Sequence, residues 1–227
     1  MKVLFRKFKL FFDVAILKTI YFNFHYFSFI NALKLPCIVL KHSQLKKMGG
    51  VIECTTPIKT AMFVLGSRSL GSIDYSYKRT IWEVQGKLVL GNKTSIGSGS
   101  RICIGPYATL KFGDNFLISG DSLLLCSKSI SFGSDCLLSW DITIMDDDQH
   151  PIYNNEGKRI NDPKPITVGE HVWIGCRSTI LKGVSVANDS IIACSTLLTQ
   201  SITKEKTICG GASGLIRTIK EDVTWKH

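Results

Sequence analysis

The chain has 227 residues, 44% of them hydrophobic, 20% charged and 10% aromatic, and a formal net charge of +10. That length accommodates one large domain with a small appendage, and that composition excludes wholesale disorder. The charge sits at one end: residues 1–50 carry nine basic side chains against the single acid Asp13, which excludes a basic surface over the whole molecule.

The first predicted element is the basic, aromatic-rich segment MKVLFRKFKLFFDVAILKTIYFNFHYFSFINALKL. Lys, Arg and Asp interrupt its apolar run and no small-residue cleavage site follows, so it is not a signal sequence. Its longest uncharged stretch, Thr19 to Leu33, has 15 residues and includes Asn23, His25 and Asn31. A bilayer span takes roughly 20 largely apolar residues, so this segment does not cross a membrane. Two compatible uses remain, a helical cap packed against the main domain and peripheral contact with an anionic membrane through residues 1–50. Nucleic acid is not expected as a partner, because no recognised binding module accompanies the basic residues. Residues 1–80 are expected to form this cap segment.

The eight cysteines, at 37, 54, 103, 126, 136, 176, 194 and 209, form no CxxC pair and have no histidine at zinc-ligand spacing. They are expected to be reduced, small, buried residues of a cytoplasmic protein, with the N-terminal segment as its candidate attachment to the inner face of the membrane.

From Leu90 onward, aliphatic residues recur every six positions, often followed by a small residue. The series runs Leu90-Gly91, Ile96-Gly97 and Ile102-Cys103, then, after a two-residue shift, Ile104-Gly105 and Leu110. A second shift gives Phe112-Gly113, Ile118, Leu124 and Ile130, and a third gives Phe132-Gly133, Leu138 and Ile144. Beyond a gap it resumes at Val168-Gly169, Ile174-Gly175, Ile180, Val186, Ile192 and Leu198. A period of six fits neither an amphipathic helix nor a hairpin meander. It fits a coil of three short faces, each pointing one aliphatic residue into a prism that only stacked coils can bury. The bends GDN 113–115, GSD 133–135 and AND 187–189 carry residues that tolerate left-handed backbone. Residues 81–217 are therefore expected to be a solenoid, with 218–227 as a tail.

The pattern [LIV]-G-x-x-x-x resembles the hexapeptide-repeat acyltransferases, an all-β family folded as a left-handed parallel β-helix. Residues 166–202, ITVGEHVWIGCRSTILKGVSVANDSIIACSTLLTQSI, are similar to the galactoside, maltose and antibiotic O-acetyltransferase branch. There, I-G-x-x-V-W-I-G precedes a G-V-x-I coil and a GAGS-V-V-T-K-like stretch. The N-terminal part resembles, in hydrophobic pattern, a subset that modifies cell-surface polysaccharides or their lipid-linked precursors. The resemblance implies an acetyl-CoA-dependent O-acetyltransferase for a saccharide hydroxyl, a homotrimer with active sites between subunits. On the donor side it implies that Trp173 lies by the pantetheine arm and that Cys176 and Cys194 turn backbone groups toward the pantetheine amides. Thr199 and Gln200 stand where the family has a Thr-Lys pair. The usual G-N-P-A-[KR] is Gly210-Gly211-Ala212-Ser213-Gly214 here, with Arg217 as the retained cation. Both departures imply weaker phosphate contacts unless Lys204 or Lys206 substitute.

Between Ile144 and Val168 the repeat stops for about 24 positions. Gly157, Pro163 and Pro165 mark this stretch as a loop, 145–165, that leaves the prism and returns. By composition, His150 in MDDDQHPIY reads as an exposed histidine in an acidic turn. Its place in an interrupted scaffold argues for chemistry instead. In the resembled family a loop here projects toward the neighbouring subunit and carries the catalytic histidine as His-Pro, the place His150-Pro151 takes. Acyl transfer to a hydroxyl needs a base near neutrality, which histidine supplies, by direct attack in a ternary complex. Asp148 and Asp146 are the candidates to orient its ring. Trp140 and Asp141, just before the loop, are candidates for the acceptor pocket or, equally, a surface tryptophan covering the column. No metal is expected, because the acidic triplet lacks the spacing of a calcium loop. The alternatives are an amino-sugar or small-molecule (antibiotic) acceptor, or a β-helical scaffold without catalysis.

Overall fold

The computed structural model describes residues 13–68, 70, 71, 73–75, 77–211 and 217–226. The repeat is realised as a left-handed parallel β-helix with three flat faces. Face one stacks Cys37–Val39, Phe63–Ser67, Thr94–Gly97, Leu117–Gly120, Leu137–Trp140, Trp173–Ile174, Ile191–Ile192 and Ile208–Gly210, and ends on the antiparallel strand Arg217–Lys220. Face two stacks Ser43–Lys47, Thr80–Val84, Arg101–Ile104, Leu123–Cys126, Thr143–Met145, Thr179–Leu181 and Leu197–Leu198. Face three stacks Val51–Cys54, Lys87–Leu90, Thr109–Phe112, Ser129–Phe132, Ile166–Val168 and Ser185–Val186.

Register turns the six-residue spacing into a column. On face one Ile96, Ile118, Leu138, Ile174 and Ile192 lie one above another. On face two Ile102, Leu124, Ile144, Ile180 and Leu198 do the same. Every aliphatic or Phe residue of the series is at most 3% exposed. Burying each contributes about 1.5–3 kcal/mol, the main force holding coil on coil. Corner residues take the expected left-handed backbone: φ is +53° at Asn115, +60° at Asp135 and +55° at Asp189. A second corner, leading from face one to face two, has its own ladder at Asp121, Asp141, Arg177 and Ser195.

The helical part is smaller than expected. It comprises α1 (Ile16–Tyr26) and α2 (Phe29–Ala32). The parallel stack already begins at Cys37, and the anticipated boundary at residue 81 falls inside the strand Thr80–Val84. The early coils hide their repeat because their connections are long: Phe63 pairs with Cys37, and Thr94 with Phe63. Residues 218–220, expected as tail, belong to the antiparallel strand that closes face one.

α1 does cap the prism. Asn23 pairs with both backbone groups of Cys37 (2.7 and 3.0 Å), and Thr19 with those of Val39 (3.2 and 3.1 Å). These side chains imitate a neighbouring strand and satisfy an otherwise open sheet edge. Phe22, fully buried, packs on Phe63 and Trp82, and Trp82 donates its indole N–H to the Tyr26 hydroxyl at 2.9 Å.

All eight cysteines are free thiols, but only Cys37, Cys126, Cys136 and Cys209 are buried. Cys103, Cys176 and Cys194 face outward, correcting their reading as core fillers. Burial pushes the Cys136 thiol up to about 12 and raises that of Cys126 further.

Candidate active site

The loop leaves the prism at the corner between faces two and three, and its neck is tightly built. Asp146 is fully buried, and its carboxylate accepts the backbone N–H groups of Ser127 (2.6 Å), Lys128 (2.8 Å) and Ser129 (2.6 Å) on the coil below. Three converging N–H donors make a nest that holds a carboxylate in place. The Asp146 carbonyl also accepts the N–H of Lys164, so the departing and returning strands of the loop meet. Asp146 is thus the anchor of the loop and is removed as a partner for the histidine ring.

Beyond the neck, Gln149 adopts φ +66° and donates its amide to Ser127 Oγ at 3.2 Å. Pro151 biases His150 toward extended backbone. The His150 side chain is exposed. Asn161, only 7% exposed, organises the segment around it. Its Nδ2 donates to the His150 carbonyl (2.8 Å) and to Asp148 Oδ2 (2.9 Å), while its Oδ1 accepts the Ile152 N–H (2.7 Å). Lys182, from the coil above, donates to Asp148 Oδ2 at 2.5 Å and to the Asn161 carbonyl at 2.9 Å. The Lys182 ammonium, and then the Asn161 amide, hold the Asp148 carboxyl below the usual carboxylate range. Among the described residues neither Asp146 nor Asp148 hydrogen-bonds the His150 ring. Asp148 braces the loop backbone that carries the histidine.

The outer part of the loop is a small hairpin. Tyr153 and Arg159 form an antiparallel bridge, and Asn154 Oδ1 accepts the N–H groups of Glu156 and Lys158. Arg159 pairs with Asp147 at 3.3 Å. Ile152, Tyr153 and Ile160 are each more than half exposed on this hairpin.

The remaining expected residues divide between two edges of the prism. Trp140, Asp141, Cys176 and Cys194 line the corner that precedes face two, where Arg177 approaches Asp141 at 3.9 Å. His150, Thr199 and Gln200 lie at the corner that follows it. A strand such as Thr143–Met145 separates the two edges by roughly 10 Å. One chain therefore does not bring Trp140 and Asp141 to His150. Trp173 projects from face one, donates its indole N–H to Ser139 Oγ at 3.0 Å and meets the ring of Trp225 at 6.0 Å. Trp225 also stacks on His171 at 4.5 Å, and His171 is tied to Asp189 at 2.8 Å.

At the C-terminal end, Gln200, Thr203, Lys204 and Thr207 line a shallow depression. Lys204 is paired with Glu221, so its charge is partly spent, whereas Lys206 is exposed on a left-handed corner. The backbone of Arg217 pairs with Gly210; its side chain, and residues 212–214, lie outside the described residues. Among the described residues, no group of three His, Cys, Asp or Glu side chains is placed to hold a metal ion. Nor, among them, is any helix long and apolar enough to cross a membrane.

Sequence reasoning missed Asn161, Lys182 and Trp225. Lys182 had a signal, because Ile144 and Ile180 share a register and so place Asp146 and Lys182 at the same corner. Asn161 had none, since its role depends on how the loop closes.

Comparison with known proteins agrees with this architecture. No protein-family model matches the chain. A polysialic acid O-acetyltransferase of Neisseria meningitidis is 44% identical over 66 residues, 29% of this chain and 31% of that protein. A second polysialic acid O-acetyltransferase, from Escherichia coli O1:K1 / APEC, is 30% identical over 128 residues, 56% of this chain and 38% of that protein. The match to the galactoside O-acetyltransferase of Escherichia coli K12 is 24% identical over 115 residues, 50% of this chain and 56% of that protein. The chain thus spans about a third of the length of the first two relatives. Among solved structures, the polySia-specific acetyltransferase NeuO superposes with a TM-score of 0.51 at 21% identity, covering 84% of this chain and 82% of that one, a likeness of fold. The chain is similar to hexapeptide-repeat O-acetyltransferases in sequence and in fold.

Proposed function

We propose that this protein is an acetyl-CoA-dependent O-acetyltransferase that acts on a hydroxyl of a surface polysaccharide or its precursor, with His150 as general base. The observation that carries this reading is the loop. Beyond Leu90 the six-residue beat has one long interruption, and it carries an exposed histidine on a neck fixed by Asp146, Asn161 and Lys182. An ordinary surface insertion has no need of such a scaffold, whereas a base must be held to a fraction of an ångström. The similarity to enzymes named for polysialic acid makes a sialic acid polymer the first acceptor to test.

The donor supplies an activated acetyl thioester. A His150 ring nitrogen takes the proton from the acceptor hydroxyl as that oxygen attacks the acyl carbon, and returns it to the departing thiolate. Residues that would hold the donor are Cys176 and Cys194 along the first edge, with Thr199 and Gln200 on the second. Because these edges lie on opposite sides of face two, a site using both is assembled between subunits. The exposed Ile152, Tyr153 and Ile160 suit a hairpin that packs on a neighbouring copy, and the assembly is a homotrimer. The test is to incubate the protein with acetyl-CoA and sialic acid polymer or other polysaccharide repeat units. Mass detection of an acetylated product and release of free thiol are expected. No product, together with no thermal stabilisation by acetyl-CoA, would favour the non-catalytic scaffold.

A further inference from the structure

Helix α1 wears its amphipathicity inside out. The residues that face the prism are Thr19, Phe22, Asn23 and Tyr26, two of them polar and spent on the edge of the first coil. The opposite side presents Leu17 (83% exposed), Ile20, Tyr21 and Phe24, and α2 extends the patch with Phe29 and Ile30 (73% exposed). Capping requires nothing apolar at these positions, and a contiguous apolar face of this kind marks an interaction surface.

Charge selects the partner. Exposed Lys34 follows α2 in the chain, Lys18 lies on α1 with its ammonium donating to the Ser43 carbonyl at 2.7 Å, and Lys2, Arg6, Lys7 and Lys9 precede the helix among Val3, Leu4, Phe5 and Phe8 in sequence. A second copy seated there would bring two strongly basic ends together. An anionic headgroup layer would neutralise them, while the aromatic and aliphatic side chains enter the interfacial zone. We infer that the outer face of α1 and α2 docks on an anionic lipid bilayer, holding the prism at the membrane surface. This inference stands whether or not the acetyl-transfer reading holds.

The test is co-sedimentation of the full chain with vesicles of phosphatidylglycerol and phosphatidylcholine, against phosphatidylcholine alone. Binding to the anionic vesicles only, weakened by added salt, is expected. The variant Leu17→Ser/Phe24→Ser/Ile30→Ser should lower that partitioning by about tenfold or more, because each side chain loses its burial in lipid. Its melting temperature and oligomeric state should not change, since none of the three is buried. Charge reversal by Lys2→Glu/Lys7→Glu should weaken binding independently. The proposal is overturned if the parent ignores anionic vesicles or if the triple variant binds as the parent does. It is equally overturned if light scattering shows that the triple variant loses its assembly, which would make the face an interface between copies.

Discussion

The aliphatic column and the loop 146–164 are built by opposite means. In the column, every coil places an aliphatic or Phe residue at the same inward positions, and stability comes from apolar burial summed over many equivalent positions. In the loop almost nothing apolar is buried, and shape comes from a few directed hydrogen bonds through Asp146, Asn161 and Lys182. Damage to the column should therefore appear as lost stability with activity kept in the molecules that remain folded. Damage to the loop should appear as lost activity, with stability falling only where a buried polar group is orphaned.

The largest effect on stability belongs to the column. Ile174→Ala opens a cavity between Leu138 and Ile192 and should cost about 2–5 kcal/mol, read by denaturant unfolding. Next is Asp146→Ala, which strands three backbone N–H groups; about 3 kcal/mol is expected, with a loop newly open to proteolysis. A wild-type resistance to protease in that variant would show that the neck does not depend on the carboxylate. Asn161→Ala should cost roughly 1–3 kcal/mol, yet lower kcat for acetyl transfer more than its stability loss explains, because the His150 backbone loses its brace. Equal loss of both at every temperature would reduce Asn161 to a structural residue.

Smallest is Lys182→Met, below about 1 kcal/mol, since the Asp148 carboxylate it pairs with is partly solvated. Its signature is in pH. The Asp148 carboxyl is held low in the folded state, so the ion pair stabilises fully above the ordinary carboxylate range. That contribution disappears as pH falls through the depressed folded value. The stability gap between parent and Lys182→Met should therefore be constant around neutrality and close in acid. A gap that widens in acid would contradict the assignment.

Which of this could be read from the chain follows from the same contrast. A column made of repeats announces itself, so Ile96 through Leu198 were legible as core, as were the bends at Asn115, Asp135 and Asp189. The lowest coils were not, because long connections before Phe63 and Thr80 separate strands whose partners are in register. The interruption around His150 was visible as a gap in the beat. Its internal wiring was not: Asp146 bonds a coil 17 to 19 residues earlier, and Asp148 reaches Lys182, 34 residues later. Neither pairing leaves a pattern in local sequence. Two acids two positions apart looked equivalent, and only burial distinguishes the anchor, Asp146, from the brace, Asp148.

On the proposed reading the loop presents the histidine that acts as base, while the coils hold it rigidly and offer the donor its contacts. That role is tested most directly by measuring kcat/KM for acetyl transfer and the melting temperature on the same preparations of the parent and His150→Ala. A fall of about 10²–10⁴-fold in kcat/KM, with an unchanged melting temperature and oligomeric state, is expected. Retained turnover in His150→Ala would rule out His150 as the base, whatever the loop variants show.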